Sequence, residues 1–363
     1  MSRPVMIMAG GTGGHIFPAL AVARALDARG VPVVWLGSRG GMETRIVPEA
    51  GIPAEWIAVR GLRGKGLRGW LAAPWRILRA VAEAGAALRR HRPRAVLGMG
   101  GFAAGPGGLA AWLARRPLVI HEQNSVAGLT NRVLARLARC VLAGFPGALP
   151  RARVVGNPVR DEIAGLPAPA ERWAGRQGPL RLLVVGGSLG AKVFNEVVPQ
   201  ALARLPEQQR PQVLHQAGER GLDEARAAYR AAGVEADLRA FLDDMAAAYG
   251  WADVVLCRAG ALTVAELAAA GLPAILVPFP HAVDDHQTGN ARYLAEAGAA
   301  WLVPQGAFDA ERLAGLLGGL DRNALLERAE RARALARPQA TELVARACLE
   351  AAEGRPCLPE VAS

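Results

Sequence analysis

The chain has 363 residues, too many for one typical domain, and 52% of them are hydrophobic, which is enough to form two sizeable cores. Aromatic residues make up only 5%, which argues against a nucleic-acid binder that stacks bases on aromatic rings. Most of the net charge of +11 is local, because ten Lys or Arg and a single acid, Glu83, lie between Arg60 and Arg94. A basic block of this kind is predicted either to contact an anionic partner or to form a face exposed to water, and nucleic acid is not the expected partner.

Cysteines and long apolar runs exclude several further classes of protein. The four cysteines include no Cys-x-x-Cys pair, so neither a zinc site nor a disulfide framework is predicted. An apolar run at residues 5–9 leaves no room for a signal peptide and predicts a reducing, cytoplasmic location. The uncharged stretch 95–114 is long enough to span a bilayer. Its six glycines and central Pro106 instead predict a strand, a glycine loop and a helix.

The first predicted strand leads into a glycine-rich loop, residues 10–15 (GGTGGH), then a helix and a second strand. This order is typical of a Rossmann-like domain. The dinucleotide motif fails, because Ile16 stands at its third glycine position and no acid follows the second strand directly. A P-loop fails too, since His15 stands in place of the lysine. The loop can still bind phosphate or let a substrate approach the backbone closely.

Residues 70–90 are predicted to form a basic amphipathic helix. The apolar residues on one side are Leu67, Trp70, Leu71, Pro74, Trp75, Leu78 and Val81, and the charged ones on another side are Arg68, Arg76, Arg79 and Glu83. A helix of this kind suits an anionic membrane surface. The alternative is a surface helix that packs on its own sheet and exposes its charges to water.

Polar residues also follow the strand predicted at 118–120. His121, Glu122, Gln123 and Asn124 come directly after its apolar core. Because ligands bind beyond the carboxyl ends of parallel strands, these four residues are candidates for a site.

The second half of the chain repeats the opening of the first. Residues 156–160 (GNPVR) precede a Pro- and Gly-rich connection, after which a strand at 182–185, a loop at 186–191 (GGSLGA) and a helix follow. The sequence therefore predicts two Rossmann-like, doubly wound α/β domains that face each other across a cleft. Their expected bounds are 1–160 and 161–337, with a last helix at 338–353 completing the first domain.

A further strand and helix are predicted around the loop 258–262. Free backbone N–H groups and the dipole of the helix favour an anion at that loop. Glu266 lies about one turn inside the helix, where a carboxylate can accept two hydrogen bonds from a diol such as a ribose. The alternative is a solvated surface glutamate. The loop 279–290, which contains Asp-Asp-His-Gln, is expected to reach the same edge of the sheet.

Seven segments, in this order and spacing, closely resemble the MurG family of GT-B glycosyltransferases, and the resemblance covers nearly the whole chain. They are GGTGGHIFP (10–18), GMGGFAAGPGG (98–108), HEQNSVAGLTN (121–131), GNPVR (156–160), GGSLGA (186–191), FLDDM (241–245) and ALTVAE (261–266). The resemblance implies an inverting transfer of N-acetylglucosamine from UDP-GlcNAc to the muramyl 4-hydroxyl of lipid I. The product would be lipid II for peptidoglycan synthesis, made by a peripheral enzyme on the cytoplasmic face of the inner membrane.

The resemblance also implies the substrate-binding residues, with lipid I, UDP-GlcNAc and an anionic phospholipid surface as partners and no cofactor. These residues are Thr12, Gly13, Gly14, Asn124, Arg160, Ser188, Leu242, Ala261, Leu262, Thr263, Val264, Ala265, Glu266 and Gln287. Phe102 stands where the family commonly has tyrosine, so a hydroxyl group is not essential on the acceptor side.

Inversion needs one general base for the acceptor hydroxyl. His15 is a candidate because the unperturbed pKa of histidine lies near neutral pH, and Glu122 is the rival. Helix N-termini at 187–191 and 258–262 would stabilise the departing UDP, with Arg160 as a candidate cation. No Asp-x-Asp occurs in the chain, so no metal is expected at the pyrophosphate. A UDP-GlcNAc 2-epimerase, which has the same two-domain fold but no lipid acceptor, is the alternative function.

Overall fold

The structure is a computed structural model that describes residues 3–59, 73–187 and 189–358. The chain divides into two compact units, Met1–Arg160 with Arg337–Ser363, and Asp161–Ala336. Each unit is built around a parallel β-sheet with helices on both faces. Parallel strands need crossover connections, and the helices in these crossovers cover the two apolar faces of the sheet.

Over the described residues, the sheet of the first unit has seven parallel strands in the order β3-β2-β1-β4-β5-β6-β7. The strands are β1 Val5–Met8, β2 Val33–Ser38, β3 Ala54–Ile57, β4 Ala95–Gly98, β5 Leu118–Glu122, β6 Cys140–Ala143 and β7 Arg153–Val154. The helices are α1 Gly13–Asp27, α2 Glu43–Glu49, α3 Ala73–His91, α4 Ala104–Leu113 and α5 Leu129–Leu134. The direction of winding reverses between β1 and β4, so the helices that follow these two strands pack on opposite faces of the sheet.

The sheet of the second unit has six parallel strands among the described residues, in the order β10-β9-β8-β11-β12-β13. The strands are β8 Arg181–Val185, β9 Gln212–Gln216, β10 Asp237–Arg239, β11 Val254–Cys257, β12 Ala274–Leu276 and β13 Ala300–Leu302. The helices are α6 Asp161–Ala164, α7 Pro169–Trp173, α8 Lys192–Ala203, α9 Leu222–Ala232, α10 Met245–Trp251, α11 Ala261–Ala270, α12 His286–Ala295, α13 Ala310–Gly318 and α14 Arg322–Ala334. Its reversal lies between β8 and β11.

The last helix, α15 Ala340–Ala352, belongs to the first unit. Val344, Ala347 and Cys348 are fully buried in the same apolar cluster as α1 and the central strand β1. Arg29, two residues after the end of α1, forms an ion pair with Glu342 of α15. The chain therefore leaves the first unit after Arg160 and returns to complete one face of the first sheet.

The stretch 95–114 forms strand β4, a turn and helix α4, as the sequence predicted. Among the helices that the structure describes, none is both long and apolar enough to cross a bilayer. The predicted basic helix is present as α3, but its expected beginning at 70–72 lies outside the described residues, as do Leu67 and Arg68.

The sequence predicted no disulfide framework, and the structure places one pair of cysteines side by side. Cys140 of β6 lies beside Cys357, with the two Cα atoms 5.7 Å apart and 217 residues between them in sequence. Short-range spacing carries no signal for such a pair, because the return of the C-terminal segment to the first sheet is what brings the two residues together. The other two cysteines, Cys257 and Cys348, are buried.

The loops after β1 and β4 touch because two residues there have no side chain. Gly101 has φ +82°, and a Cβ added to it would lie 2.2 Å from the carbonyl oxygen of Gly10. Gly100 has φ +94° and lies against His15, whose Nδ1 would be 2.7 Å from an added Cβ. Only glycine allows both this backbone conformation and this approach, so the two loops form one continuous surface.

Gly101→Ala is therefore expected to destabilise the first unit more than Gly30→Ala does. Gly30 also has a positive φ, +68°, but an added Cβ there meets nothing within 4 Å. Gly30→Ala should lower the free energy of unfolding by about 1–2 kcal/mol, because alanine is strained in the left-handed conformation. Gly101→Ala should lower it further, because the added Cβ also clashes with the backbone of Gly10. Thermal unfolding of both variants measures the difference, and equal shifts would show that the loops do not need the close approach.

Candidate active site

The glycine loop of the first unit ends in the N-terminus of α1. Thr12 precedes the helix in an extended conformation, and its carbonyl oxygen accepts hydrogen bonds from the N–H groups of His15 (3.1 Å) and Ile16 (3.2 Å). Gly13 and Gly14 form the first turn, where backbone N–H groups lack partners within the helix and the dipole favours an anion. The structure thus brings Thr12, Gly13, Gly14 and His15 together at the switch point of the first sheet.

A buried carboxylate that the sequence analysis missed supports this loop. Glu43, the first residue of α2, accepts hydrogen bonds from Gly11 N (3.1 Å), Ser38 N (3.1 Å) and Ser38 Oγ (2.5 Å). No acid follows β2 directly, but Glu43 comes five residues after Ser38 and folds back over the end of the strand. No sequence motif predicts this position of Glu43, because the turn between Ser38 and Glu43 sets the direction of its side chain.

Alternation along β5 separates the polar residues at its end into two groups. Side chains of successive residues in a strand point to opposite faces of the sheet. His121 and Gln123 lie on the face of α1, where Gln123 Oε1 is 3.0 Å from His15 Nδ1. Glu122 lies on the face of α5, where it contacts Asn131. The two candidate bases are thus on different faces of the sheet.

Glu122 holds the backbone that follows β5. It is 3% exposed, and its Oε1 accepts hydrogen bonds from Asn124 N (2.9 Å) and Asn124 Nδ2 (3.3 Å). Its Oε2 accepts from Gly128 N (3.3 Å) and Asn131 Nδ2 (2.9 Å). A carboxylate that is buried and bonded on both oxygens is a structural support, so the geometry favours His15 over Glu122 as the base.

The segment before Arg160 is hydrogen-bonded to the same end of β5 that Asn124 follows. Asn157 Nδ2 donates to the carbonyl oxygen of Gln123 at 3.0 Å, directly before Asn124. Arg160 closes the segment as the last residue of the first unit before the chain crosses to the second. Arg160 is half-buried.

In the second unit, the loops after β8 and β11 form the corresponding switch point. The loop 186–190 is held by Gln216, whose Nε2 donates to the carbonyl oxygen of Gly187 at 3.2 Å. Helix α8 begins at Lys192 and helix α11 at Ala261, so both helices direct their N-termini to the carboxyl edge of the sheet. Ser188 lies outside the described residues.

Glu266 lies in the second turn of α11 and is only 5% exposed. The hydroxyl of Tyr249 donates to its Oε2 at 3.2 Å, a partner that the sequence analysis missed. The alternative of a solvated surface glutamate is therefore wrong. A buried carboxylate needs hydrogen-bond donors, and Tyr249 supplies one from α10.

The loops 258–262 and 279–290 lie together, as predicted. Asn290 is fully buried, and its Nδ2 donates to the carbonyl oxygen of Ala259 at 3.1 Å. Gln287 shapes the second loop, because its Oε1 accepts from Phe279 N at 2.9 Å. Leu242 follows β10 on the same edge of the sheet, but β8 and β9 separate β10 from β11.

Residues 5–143 match the glycosyltransferase family 28 N-terminal domain, and residues 181–346 match the glycosyltransferase family 28 C-terminal domain. The chain belongs to glycosyltransferase family 28. The two matched segments contain both switch points, so the loops described above are those of a family 28 glycosyltransferase.

Similar proteins of family 28 extend over the whole chain. A protein from Alkalilimnicola ehrlichii is 65% identical over 97% of this chain and 100% of its own length. One from Azoarcus sp. is 62% identical over 97% of this chain and 99% of its own length. Both carry the name UDP-N-acetylglucosamine--N-acetylmuramyl-(pentapeptide) pyrophosphoryl-undecaprenol N-acetylglucosamine transferase.

Solved structures give the same result for the fold. The crystal structure of Acinetobacter baumannii MurG matches with a TM-score of 0.85 and 42% identity, covering 96% of this chain and 100% of that one. The glycotransferase of kitacinnamycin, at 18% identity, matches with a TM-score of 0.66 over 95% of this chain and 99% of that one, which shows a common fold alone. The predicted GT-B class and the resemblance to the MurG family are confirmed.

His15→Gln is expected to lower kcat for glycosyl transfer by roughly 10²–10⁴-fold with little change in UDP binding, if His15 is the base. Glu122→Gln would place an amide N–H₂ among N–H donors, so it should mainly destabilise the fold, by about 1–3 kcal/mol. Steady-state kinetics and thermal unfolding of both variants separate the roles. A loss of kcat in Glu122→Gln at unchanged unfolding temperature would make Glu122 the base instead.

Proposed function

We propose that this chain transfers N-acetylglucosamine from UDP-GlcNAc to the muramyl 4-hydroxyl of lipid I and so forms lipid II for peptidoglycan. The observation that supports the proposal is sequence identity of 62–65%, over 97% of the chain, to transferases that are named for this reaction. A UDP-GlcNAc 2-epimerase has no comparable support from the relatives. Because lipid II feeds growth of the cell wall, the same proposal extends to roles in cell shape, cell division and the cell cycle.

The proposed reaction is a single displacement at the anomeric carbon. His15 takes the proton of the acceptor hydroxyl as its oxygen attacks, the bond to the UDP oxygen breaks, and the configuration inverts. UDP departs as an anion, and oriented N–H groups at the N-termini of α8 and α11 stabilise its charge without a metal. Arg160 supplies a positive charge for the same purpose.

The donor nucleotide is proposed to bind mainly to the second unit. Glu266 would accept hydrogen bonds from the ribose hydroxyls while Tyr249 holds its Oε2 in place. The residues Ala261, Leu262, Thr263, Val264 and Ala265, together with Ser188, Leu242 and Gln287, are proposed to line the nucleotide. Thr12, Gly13, Gly14 and Asn124 of the first unit are proposed to contact the transferred sugar.

A membrane surface is proposed to contact α3 and α4, placing the enzyme peripherally on the cytoplasmic face of the membrane. Trp75 is 75% exposed and Leu78 is 61% exposed. The exposed apolar residues of these helices are Trp75, Ile77, Leu78, Trp112 and Leu113. Arg76 and Arg79 are exposed beside them. Apolar side chains flanked by arginines suit the boundary between headgroups and acyl chains, where an acceptor with a polyprenyl tail must reside.

UDP release from UDP-GlcNAc should depend on the presence of a lipid I analogue.

Glu266→Ala should raise the KM for UDP-GlcNAc, because the variant loses a hydrogen bond between the ribose and a charged group, which is worth about 1.5–3 kcal/mol. Tyr249→Phe is the matched control, because it keeps the carboxylate and removes only its neighbouring donor. Unchanged kinetics in Glu266→Ala would remove the residue from the donor site, and a product with manno configuration made without acceptor would favour the epimerase.

Reversing Arg76 and Arg79 to Glu should release the enzyme from anionic vesicles. Each basic residue near such a surface contributes about 1 kcal/mol, and each reversal adds repulsion. The control reverses Arg204 and Arg230, two exposed arginines of the second unit, for the same change in net charge. Co-sedimentation at physiological salt measures binding, and equal retention of both variants would show that α3 is an ordinary packed helix with solvated charges.

A further inference from the structure

A continuous hydrogen-bond network connects His15 to the backbone where the chain leaves the first unit. His15 Nδ1 is 3.0 Å from Gln123 Oε1, and Gln123 Nε2 is 3.2 Å from His121 Nδ1. His121 Nε2 is 2.8 Å from the carbonyl oxygen of Gly156. Gln123 and His121 are buried, at 1% and 0% exposure, so water does not compete for these contacts.

The carbonyl oxygen of Gly156 sets the direction of every hydrogen bond in this network. A carbonyl oxygen can only accept, so His121 Nε2 must carry a hydrogen. Burial lowers the pKa of His121 to about 4, which keeps the ring neutral near pH 7 with a single N–H. Its Nδ1 is therefore an acceptor, and the group that faces it must be a donor.

The amide group of Gln123 is consequently held in one orientation. Its Nε2 faces His121 Nδ1 and also lies 3.3 Å from the carbonyl oxygen of His121 and 4.0 Å from Met99 Sδ, which are acceptors as well. The reversed amide would need a second proton on His121, which burial opposes. Gln123 Oε1 therefore faces His15 and accepts a hydrogen bond from His15 Nδ1–H.

We propose that Gln123 and His121 are positioning residues that keep the proton of neutral His15 on Nδ1 and so make Nε2 its basic nitrogen. The proposal rests on the proposed function, in which His15 takes a proton from the acceptor. The same arrangement serves both states of the ring, because Gln123 Oε1 still accepts from Nδ1–H after Nε2 has been protonated. No group of the network has to reorient during the proton transfer.

A purely structural role would make a different prediction. If the network served only to hold β5 against α1, any well-packed side chain at position 123 would preserve the properties of His15. The proposed role instead requires an acceptor that faces Nδ1, and requires His121 to present an acceptor to Gln123. Substitutions that keep or remove these acceptors therefore separate the two roles.

The first test reads the tautomer of His15 directly and does not depend on activity. The full chain is labelled with ¹⁵N-histidine, and its six histidines are resolved by long-range ¹H–¹⁵N NMR, with His15→Gln identifying the His15 signals. At a pH where the ring is neutral, Nδ1 should show the shift of a protonated nitrogen and Nε2 that of a bare nitrogen. Gln123→Leu should shift the population toward Nε2–H. A wild-type His15 that is protonated on Nε2 would overturn the proposal.

The second test uses a matched pair of substitutions at position 121. The amide oxygen of asparagine takes the place of Nδ1, so His121→Asn keeps the acceptor for Gln123, whereas His121→Leu removes it. His121→Leu and Gln123→Leu should each lower kcat by about 10-fold, the effect of one hydrogen bond, with an unchanged KM for UDP-GlcNAc. His121→Asn should retain most of the wild-type kcat and the wild-type tautomer. Equal losses in His121→Asn and His121→Leu would reduce the network to a structural role.

The two tests also distinguish failure of this proposal from failure of the proposed function. If His15→Gln keeps the wild-type kcat, His15 is not the base, and the assigned role of the network in catalysis falls with it. If His15→Gln is inactive but the tautomer of His15 is the same in wild type and in Gln123→Leu, the base stands and the positioning role is overturned. Thermal unfolding of each variant shows which kinetic losses come from an altered fold, and the wild-type NMR measurement needs no variant to fold other than the one that identifies His15.

Discussion

The approach of two glycine-containing loops at the reversal point of the first sheet is the constraint on which the proposed chemistry depends. Gly101 lies against the backbone of Gly10, and Gly100 lies against the ring of His15. A side chain at either position would separate the loops after β1 and β4. Glu43 also restrains the first loop, because its carboxylate accepts hydrogen bonds from Gly11 N and from Ser38 N at the end of β2. The close approach of the two loops thus sets the position of His15.

Strand alternation along β5 gives adjacent polar residues opposite tasks. Glu122 supports the loop toward α5, and its neighbours His121 and Gln123 support His15 on the other face. Buried polar groups are tolerated here because each contact found is with a complementary donor or acceptor. The network of His15 ends at Gly156, four residues before the chain crosses to the second unit, so the segment that links the units also sets the direction of hydrogen bonding around the proposed base.

The second unit uses the same architecture for another purpose. Its glycine loop and its two helix N-termini offer oriented N–H groups to an anion. Glu266 is buried beside Tyr249 instead of exposed, and the proposed function has its carboxylate accept hydrogen bonds from the ribose of the donor. The two units therefore share the order of six strands and the positions of their loops, but the first has a histidine at its helix N-terminus and the second has a buried carboxylate inside its helix.

The sequence by itself determined the two parallel α/β units, their glycine loops and the helices predicted at 70–90 and 261–270, because apolar runs, glycines and helical periodicity are local signals. It also placed His15 and Glu122 near the carboxyl ends of strands and Glu266 about one turn inside a helix. Only the tertiary structure showed that Glu122 is buried and hydrogen-bonded through both oxygens, found Glu43 and Tyr249 as supporting residues, and brought Cys140 beside Cys357. The physical reason is common to all of these. Each depends on contacts between residues distant in sequence, and strand order, side-chain direction and burial set those contacts together.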